Sequence, residues 1–376
     1  MKIISSISVL VLSLFAAVSV GAQSHAEMIA KAVQPLPDDL QDAAGVYTYD
    51  DSGQRQTLRQ GSNNVECRTT DENGFNWCYP VTSTDRRDYQ AKLEAKDMSR
   101  EEVREAMTAA EEAGEVEPWP FGSLIYRTYG NDDRIQLLWV VLVPNAMAED
   151  LGMSLASQRD SSLAGQGLPW MMREGTPGAH LMIPINSREL SNQGGAKMRK
   201  DTKAMDDKVA HATLPLPEDL RAGAAVVTFD PDTGARKVLR EGSNMIECQA
   251  RDERTGFTRC YHKGLAAESN LRAKLSAEGK DFQAVSAGVN AARADGTIPV
   301  ARMGSIAYRL YEEDDRLKLL WVLRLPNATS AELGMPTASQ RDNSLAGKGL
   351  PWMMREGTPS AHLMIPINGT ELSNND

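Results

Sequence analysis

The sequence predicts an α+β protein made of two homologous repeats, each a small, mainly antiparallel sheet with a helical insertion and one disulfide. Three observations carry this prediction: an internal duplication, two closely spaced cysteine pairs, and β-rich runs interrupted by one helical stretch in each copy. The length of 376 residues fits two domains, since a domain usually has about 100–200 residues.

The duplication covers nearly all of the chain after its first 35 residues. Residues 36–67 return as 216–248, with the same order of turn, strand and cysteine. Residues 156–186 match 338–368 at 28 of 31 positions. Three reasons compete for so high an identity in an irregular segment: backbone constraint by Gly and Pro, a surface that contacts a ligand, or recent gene conversion.

The duplication also sets the domain boundaries. Residues 194–208 begin with Gly-Gly and are rich in charge, which is typical of a linker. We therefore predict a first repeat domain over 23–193 and a second over 209–376, each able to fold alone.

The predicted elements follow the same order in both copies. Alternating residues separated by a Gly-containing turn indicate a hairpin, helical spacing of apolar residues follows, and three further β-rich runs close the copy. The second hairpin strand leads through a Gly-Ser-Asn turn into the first cysteine. In the first copy the elements are strands 44–49 and 54–60, helices within 82–118, and strands 123–129, 135–143 and 179–185. We expect five or six strands per copy.

The N-terminus has the composition of a secretory signal peptide. Met1-Lys2 precedes an apolar run that ends at Gly21-Ala22, so we place the signal peptide at 1–22. No later apolar run reaches the length that a bilayer requires, and we expect no membrane span after signal removal.

The four cysteines predict two disulfides in an exported protein. Four cysteines allow three connectivities, and the sequence alone leaves them open. Because Cys67 lies close to Cys78 and Cys248 close to Cys260, we favour nearest-neighbour pairing within each copy.

The overall charge excludes some partners. The chain has 41 Lys and Arg against 51 Asp and Glu, a formal net charge of −10. An acidic chain without a basic stretch is poorly suited to bind nucleic acid or anionic membranes. The apolar fraction of 41 % argues for a folded protein.

One histidine in each copy is the strongest candidate for catalysis. His180 and His362 follow Glu174 and Glu356 by six residues, so a general base oriented by a carboxylate is one interpretation. The other, which we favour, is a partly buried histidine that hydrogen-bonds to the backbone at a strand edge. Metal-ligand spacing is absent from the sequence, and no metal or cofactor is predicted.

The same segments carry candidates for ligand binding. Trp and Arg are enriched in binding hot spots, which favours Trp170 and Arg173 in the first copy and Trp352 and Arg355 in the second. The alternative is that the tryptophans fill space beneath the loop.

The motif Leu-Arg-x-Gly-Ser-Asn-x-x-Glu-Cys, followed by a second Cys, occurs at 58–67 and at 239–248. Together with the closing His-Leu-Met strand, it resembles an uncharacterised family of exported bacterial proteins, here present as a tandem duplication. The resemblance implies bacterial export to the periplasm or the medium, the disulfide and the repeat unit. It implies no activity, cofactor or catalytic residue.

These inferences predict an exported, non-enzymatic binding or envelope-associated protein that presents two like surfaces to an unknown protein or envelope ligand. The alternative is a hydrolase-like enzyme that uses His180 or His362 with neighbouring acidic residues.

Overall fold

The computed structural model describes residues 24–71, 73–128, 137–154, 168–185, 207–252, 257–311, 319–336 and 350–367. These residues form two mixed sheets of eight strands, one in each repeat, together with helices. The α+β class and the two similar repeats are therefore confirmed. The predicted signal peptide and nearly all of the predicted linker lie outside the described residues.

Each sheet has the same strand order. The first sheet contains β1 to β8, which are in chain order Gly45–Tyr49, Arg55–Arg59, Val65–Arg68, Asn76–Pro80, Leu124–Thr128, Leu137–Leu142, Trp170–Met172 and His180–Pro184. The second contains β9 to β16, which are Ala225–Phe229, Arg236–Arg240, Ile246–Asp252, Phe257–His262, Ile306–Tyr311, Leu319–Arg324, Trp352–Met354 and His362–Ile367. The order is β2-β1-β3-β4-β5-β6-β8-β7 in the first repeat and β10-β9-β11-β12-β13-β14-β16-β15 in the second. One pairing in each sheet is parallel, β1 with β3 and β9 with β11.

The helices also occur in matching sets. Among the described residues, those of the first repeat are α1 (His25–Ala32), α2 (Asp38–Gln41), α3 (Thr84–Glu94), α4 (Arg100–Glu112) and α5 (Ala148–Leu151). Those of the second are α6 (Lys208–Thr213), α7 (Glu218–Arg221), α8 (Ala266–Ala277), α9 (Phe282–Ala294) and α10 (Ser330–Leu333). Within the described ranges, no helix is both long and apolar enough to cross a membrane.

The disulfides confirm the pairing within each copy. Cys67 and Cys78 lie directly opposite each other on β3 and β4, with their Cα atoms 4.0 Å apart. Cys248 and Cys260 occupy the same places on β11 and β12, with a Cα separation of 3.9 Å. Three of the eight strands in each repeat were not predicted from the sequence. Two of these three are the strands that carry the cysteines. The third is the short strand that begins at Trp170 or Trp352.

The Gly-Ser-Asn motif has a structural role. A Cβ atom on Gly61 would lie 2.4 Å from the backbone nitrogen of Gly45, so only glycine permits this close approach to β1. The side-chain oxygen of Asn63 accepts a hydrogen bond from the Val65 amide, and its amide group donates to the Leu40 carbonyl. The second repeat has the equivalent contacts.

One apolar core joins the two repeats. We call the sheet faces that carry Trp139 and Trp321 the inner faces, and their side chains belong to a single buried cluster drawn from both halves of the chain. Each tryptophan ring meets a tyrosine ring edge-on, Tyr126 or Tyr308, with centroids 4.9 Å apart. The domain boundaries stay a prediction, but the described residues of both repeats contribute to this shared core.

The contact between the repeats is reciprocal. The Tyr126 hydroxyl donates to the carbonyl of Gly334 at 2.8 Å, and the Tyr308 hydroxyl donates to that of Gly152 at 2.7 Å. Gly152 and Gly334 end the equivalent helices α5 and α10. The two repeats therefore face each other with an approximate two-fold relation.

The other face of each sheet, the outer face, is covered by the helical insertion of the same repeat. The Arg87 guanidinium of α3 lies 3.2 Å from the ring centroid of Tyr79 on β4. In the second repeat Arg259 on β12 donates to the Ser269 hydroxyl on α8 at 3.2 Å. The described residues thus form four layers in the order helix, sheet, sheet, helix.

Candidate functional site

The two candidate histidines bond to their own loops. Nδ1 of His180 lies 2.7 Å from the carbonyl of Gly178, and Nδ1 of His362 lies 2.7 Å from that of Ser360. Because a carbonyl only accepts, Nδ1 carries the hydrogen in both residues. Burial lowers the pKa of both imidazoles, that of His362 to about 3, so both are neutral at neutral pH.

The two candidate glutamates lie at the starts of helices. Glu174 accepts a hydrogen bond from the amide of Ala148 at 2.9 Å, and Glu356 accepts one from the amide of Ser330 at 2.8 Å. These are the first residues of α5 and α10, whose amides have no partner within the helix. The described contacts of these glutamates and histidines are therefore those of structural residues.

The two candidate tryptophans are buried beneath the outer faces. Trp170 is 5 % exposed and Trp352 is 3 % exposed. Trp170 belongs to a cluster with Val140 and Met182, and Trp352 belongs to the equivalent cluster in the second repeat. Both side chains fill space in the apolar layer.

The two candidate arginines differ in their surroundings. Both have a φ of +55°, but Arg173 is exposed whereas Arg355 is half-buried. Nη2 of Arg355 lies 3.5 Å from the hydroxyl of Ser286 on α9. Of the residues predicted from the sequence, Arg355 and His362 lie at the site described next.

In the part of the chain that the structure describes, six arginines surround one buried carboxylate on the outer side of the second repeat. We call this group the arginine cluster, and its carboxylate belongs to Glu268 on α8. Three arginines come from neighbouring strands, two from the helical insertion and one from the loop after β15. They are Arg259, Arg309, Arg324, Arg272, Arg293 and Arg355.

The Glu268 carboxylate contacts three of these arginines. Nε of Arg272 donates to its Oε1 at 2.8 Å, and Nη2 of Arg293 donates to its Oε2. Nη2 of Arg324 lies 4.0 Å from Oε1. Burial raises the pKa of Glu268, but these three guanidiniums outweigh that effect and hold its pKa at about 2.

The positive charge of the cluster exceeds what Glu268 neutralises. Nε of Arg293 and Nε of Arg324 are buried without a hydrogen-bond partner. Burial lowers the pKa of Arg324 to about 10 against the opposing effect of Glu268, and the charge of Arg309 contributes to the decrease. Guanidiniums that are desolvated beside one another favour binding of an anion, since the anion relieves their repulsion.

Four of the six arginines are specific to the second repeat. Arg309 and Arg355 correspond to Arg127 and Arg173 of the first repeat, 182 positions earlier. The other four positions hold a different residue type in the first repeat: Trp77 for Arg259, Gln90 for Arg272, Glu111 for Arg293 and Leu142 for Arg324.

The central ion pair is reversed between the repeats. Glu268 corresponds to Arg86, and Arg86 forms an ion pair with Glu111 in the first repeat. On the first outer face Trp77 and Trp119 both stack on Tyr79, and Arg87 and Arg127 lie over the rings of Tyr79 and Trp77. Both repeats thus keep the helix-to-helix ion pair, but Arg259, Arg272 and Arg324 have no arginine counterpart in the first repeat.

The sequence interpretation missed most of this cluster. It favoured positions that are identical in the two copies, whereas Arg259, Arg272, Arg293 and Arg324 are positions where the copies differ. The signal that could have found them is the repeated gain of arginine at aligned positions within strands and helices of one copy.

Comparison with known proteins adds no assignment. No protein-family model, curated protein or solved structure matches the chain. In the described part of the chain, no group of three or more His, Cys, Asp or Glu side chains could hold a metal ion. The chemistry of the site is therefore argued from its own residues.

The depressed pKa of His362 predicts a pH dependence of stability. The folded imidazole has a pKa of about 3 against 6.5 ordinarily, so the unfolded chain binds more protons between these values. We expect the free energy of unfolding to fall as the pH decreases through this window and to be restored above it. In His362→Asn the slope should be smaller by up to about 1.4 kcal/mol per pH unit. Urea unfolding of the parent protein and of His362→Asn between pH 4 and 7 measures this slope. Equal slopes of the free energy of unfolding against pH would contradict the prediction.

Proposed function

We propose that this chain is an exported bacterial binding protein without enzymatic activity, and that the arginine cluster of its second repeat binds an anionic ligand. One observation carries the proposal: among the described residues, six guanidiniums surround the Glu268 carboxylate, and the Nε atoms of Arg293 and Arg324 are buried without a hydrogen-bond partner. Guanidinium groups are well suited to the oxygens of phosphate, sulfate and carboxylate, which they can bind through two parallel hydrogen bonds.

The access to the cluster supports binding. The side chains of Arg324 and Arg272 are 13 % and 19 % exposed, so solvent reaches part of each side chain. An anion that enters such a half-buried site experiences less screening than one at an open surface. The nearby carboxylate of Glu247 is already paired with Arg236, and it leaves the excess charge in place.

The proposal of export depends on the sequence and agrees with the disulfides. Disulfides persist in oxidising compartments such as the periplasm and the extracellular medium. Both repeats have one, and the N-terminal residues 1–22 have the pattern of a signal peptide. The hydrolase alternative lacks comparable support, since Glu174 and Glu356 hydrogen-bond to helix amides.

Anion binding should be measurable by calorimetry. The protein without residues 1–22, titrated at low ionic strength with inorganic phosphate and with sulfate, should give saturable binding of one anion per chain. Arg324→Leu introduces the residue found at the equivalent position of the first repeat, Leu142. We expect it to weaken binding at least tenfold, since a hydrogen bond to a charged group contributes about 1.5–3 kcal/mol.

The matched control removes one positive charge elsewhere in the same repeat. Lys237 is exposed on β10, at the other end of the sheet from β16. Lys237→Gln should bind the anion as the parent protein does. Heats equal to those of dilution, or equal weakening by both substitutions, would contradict the proposed site.

A further inference from the structure

An exposed phenylalanine lies at the edge of the arginine cluster. Phe282 is the first residue of helix α9, and it is 69 % exposed. The first repeat has Arg100 at the equivalent position, so this aromatic ring is specific to the repeat that has the cluster. A large apolar side chain left in water has a free-energy cost that contact with a ligand would remove.

Arg355 connects this ring with the cluster. Its guanidinium carbon lies 5.6 Å from the ring centroid of Phe282. Its Nη2 lies 3.5 Å from the hydroxyl of Ser286, one turn further along α9 on the same side of the helix. Burial lowers the pKa of Arg355, and the charges of Arg272 and Arg309 lower it further, which places its guanidinium within the field of the cluster.

The exposed ring of Phe282 and the arginine cluster could each contact a different part of one ligand. We infer that the anion bound by the second repeat has an aromatic group, which stacks on Phe282 while its phosphate or carboxylate contacts the arginines. This inference rests on the proposed anion site and specifies its ligand class. A ring placed on Phe282 also lies beside Arg355, so the ligand gains an aromatic contact and a cation–π contact together.

The test compares phenyl phosphate with inorganic phosphate in the protein without residues 1–22. At about pH 8 both compounds are mainly dianions, so a difference between them reports on the ring. We expect phenyl phosphate to bind about fivefold more tightly, which is the typical contribution of one aromatic pair. Butyl phosphate should bind more weakly than phenyl phosphate.

Two substitutions assign the preference to one side chain. Phe282→Ala should remove the advantage of phenyl phosphate and leave the affinity for inorganic phosphate unchanged. Val300 is another exposed apolar residue of the same repeat, 56 % exposed, and Val300→Ala should change neither affinity.

The outcomes separate this inference from the proposed function. Equal affinities for phenyl and inorganic phosphate, a preference that persists in Phe282→Ala, or butyl phosphate binding as tightly as phenyl phosphate would overturn the aromatic ligand and leave the anion site standing. Failure of every compound to bind would overturn both.

Discussion

Residues 207–376, produced alone in an oxidising compartment, are expected to form a dimer. The inner face of the second sheet carries Trp321, Tyr308 and Leu323, which are at most 1 % exposed in the core shared with the first repeat, where Tyr308 donates to Gly152. Without that cover, a wide apolar surface would face water, and a second copy can replace the first repeat. The hydrogen bonds also suit the replacement, since Gly334 could accept from Tyr308 of the other copy as it accepts from Tyr126 in the full chain.

Sedimentation at several protein concentrations measures the oligomeric state of this fragment, and thermal unfolding at the same concentrations measures its midpoint of unfolding. We expect a dimer whose midpoint of unfolding rises with concentration. Tyr308→Phe should weaken dimerisation about thirtyfold, because it removes two symmetry-related hydrogen bonds of about 1 kcal/mol each. Tyr261→Phe is the matched control, because Tyr261 lies on the outer face and donates to Glu247 within the same repeat. A monomer that unfolds cooperatively at one midpoint at every concentration would show that the repeat is an independent domain.

The sequence predicted the features of the fold that depend on local pattern. The hairpin strands, the buried strands 137–142 and 319–324, and the disulfides within each copy agree with the structure. The strands around the cysteines were missed. Val65–Arg68 alternates apolar and polar residues but is short and directly follows a turn, whereas Asn76–Pro80 shows no clear alternation. The packing of the two inner faces was also beyond prediction, since a run buried on both faces does not reveal what covers it.

The sequence predicted the site only in part. Identity between the copies drew attention to Trp170 and Trp352, whose rings fill the apolar layer, and to His362, whose imidazole bonds to its own loop. The arginine cluster depends on residues that are far apart in sequence, such as Arg259 and Arg324. Only the sheet register and the helices above it bring them together, so spacing along the chain gave no signal.

Replacement of Glu268 should be strongly destabilising. Glu268→Gln removes the carboxylate that pairs with Arg272 and Arg293, and Arg293, 5 % exposed, would then be buried without its counter-charge. Loss of one partner from a buried ion pair typically costs about 3–5 kcal/mol, so we expect urea unfolding to show a decrease of that size. Glu278→Gln, at the exposed end of the same helix, should change stability little, since its pair with Lys280 is open to solvent.

The same variant also tests why the cluster exists. If the positive charge of the cluster binds an anion, phosphate or sulfate should raise the midpoint of unfolding of Glu268→Gln more than that of the parent protein. The reason is that the bound anion supplies the missing negative charge. The first repeat offers the comparison. Its Arg86 and Glu111 form the equivalent ion pair, but the positions of Arg259, Arg272 and Arg324 hold uncharged residues there, so Glu111→Gln should gain much less from added anion. Equal rescue of both variants would mean that the anion acts on the whole surface. Greater rescue of Glu268→Gln alone would connect the divergence of the two repeats with the acquisition of a binding site by the second.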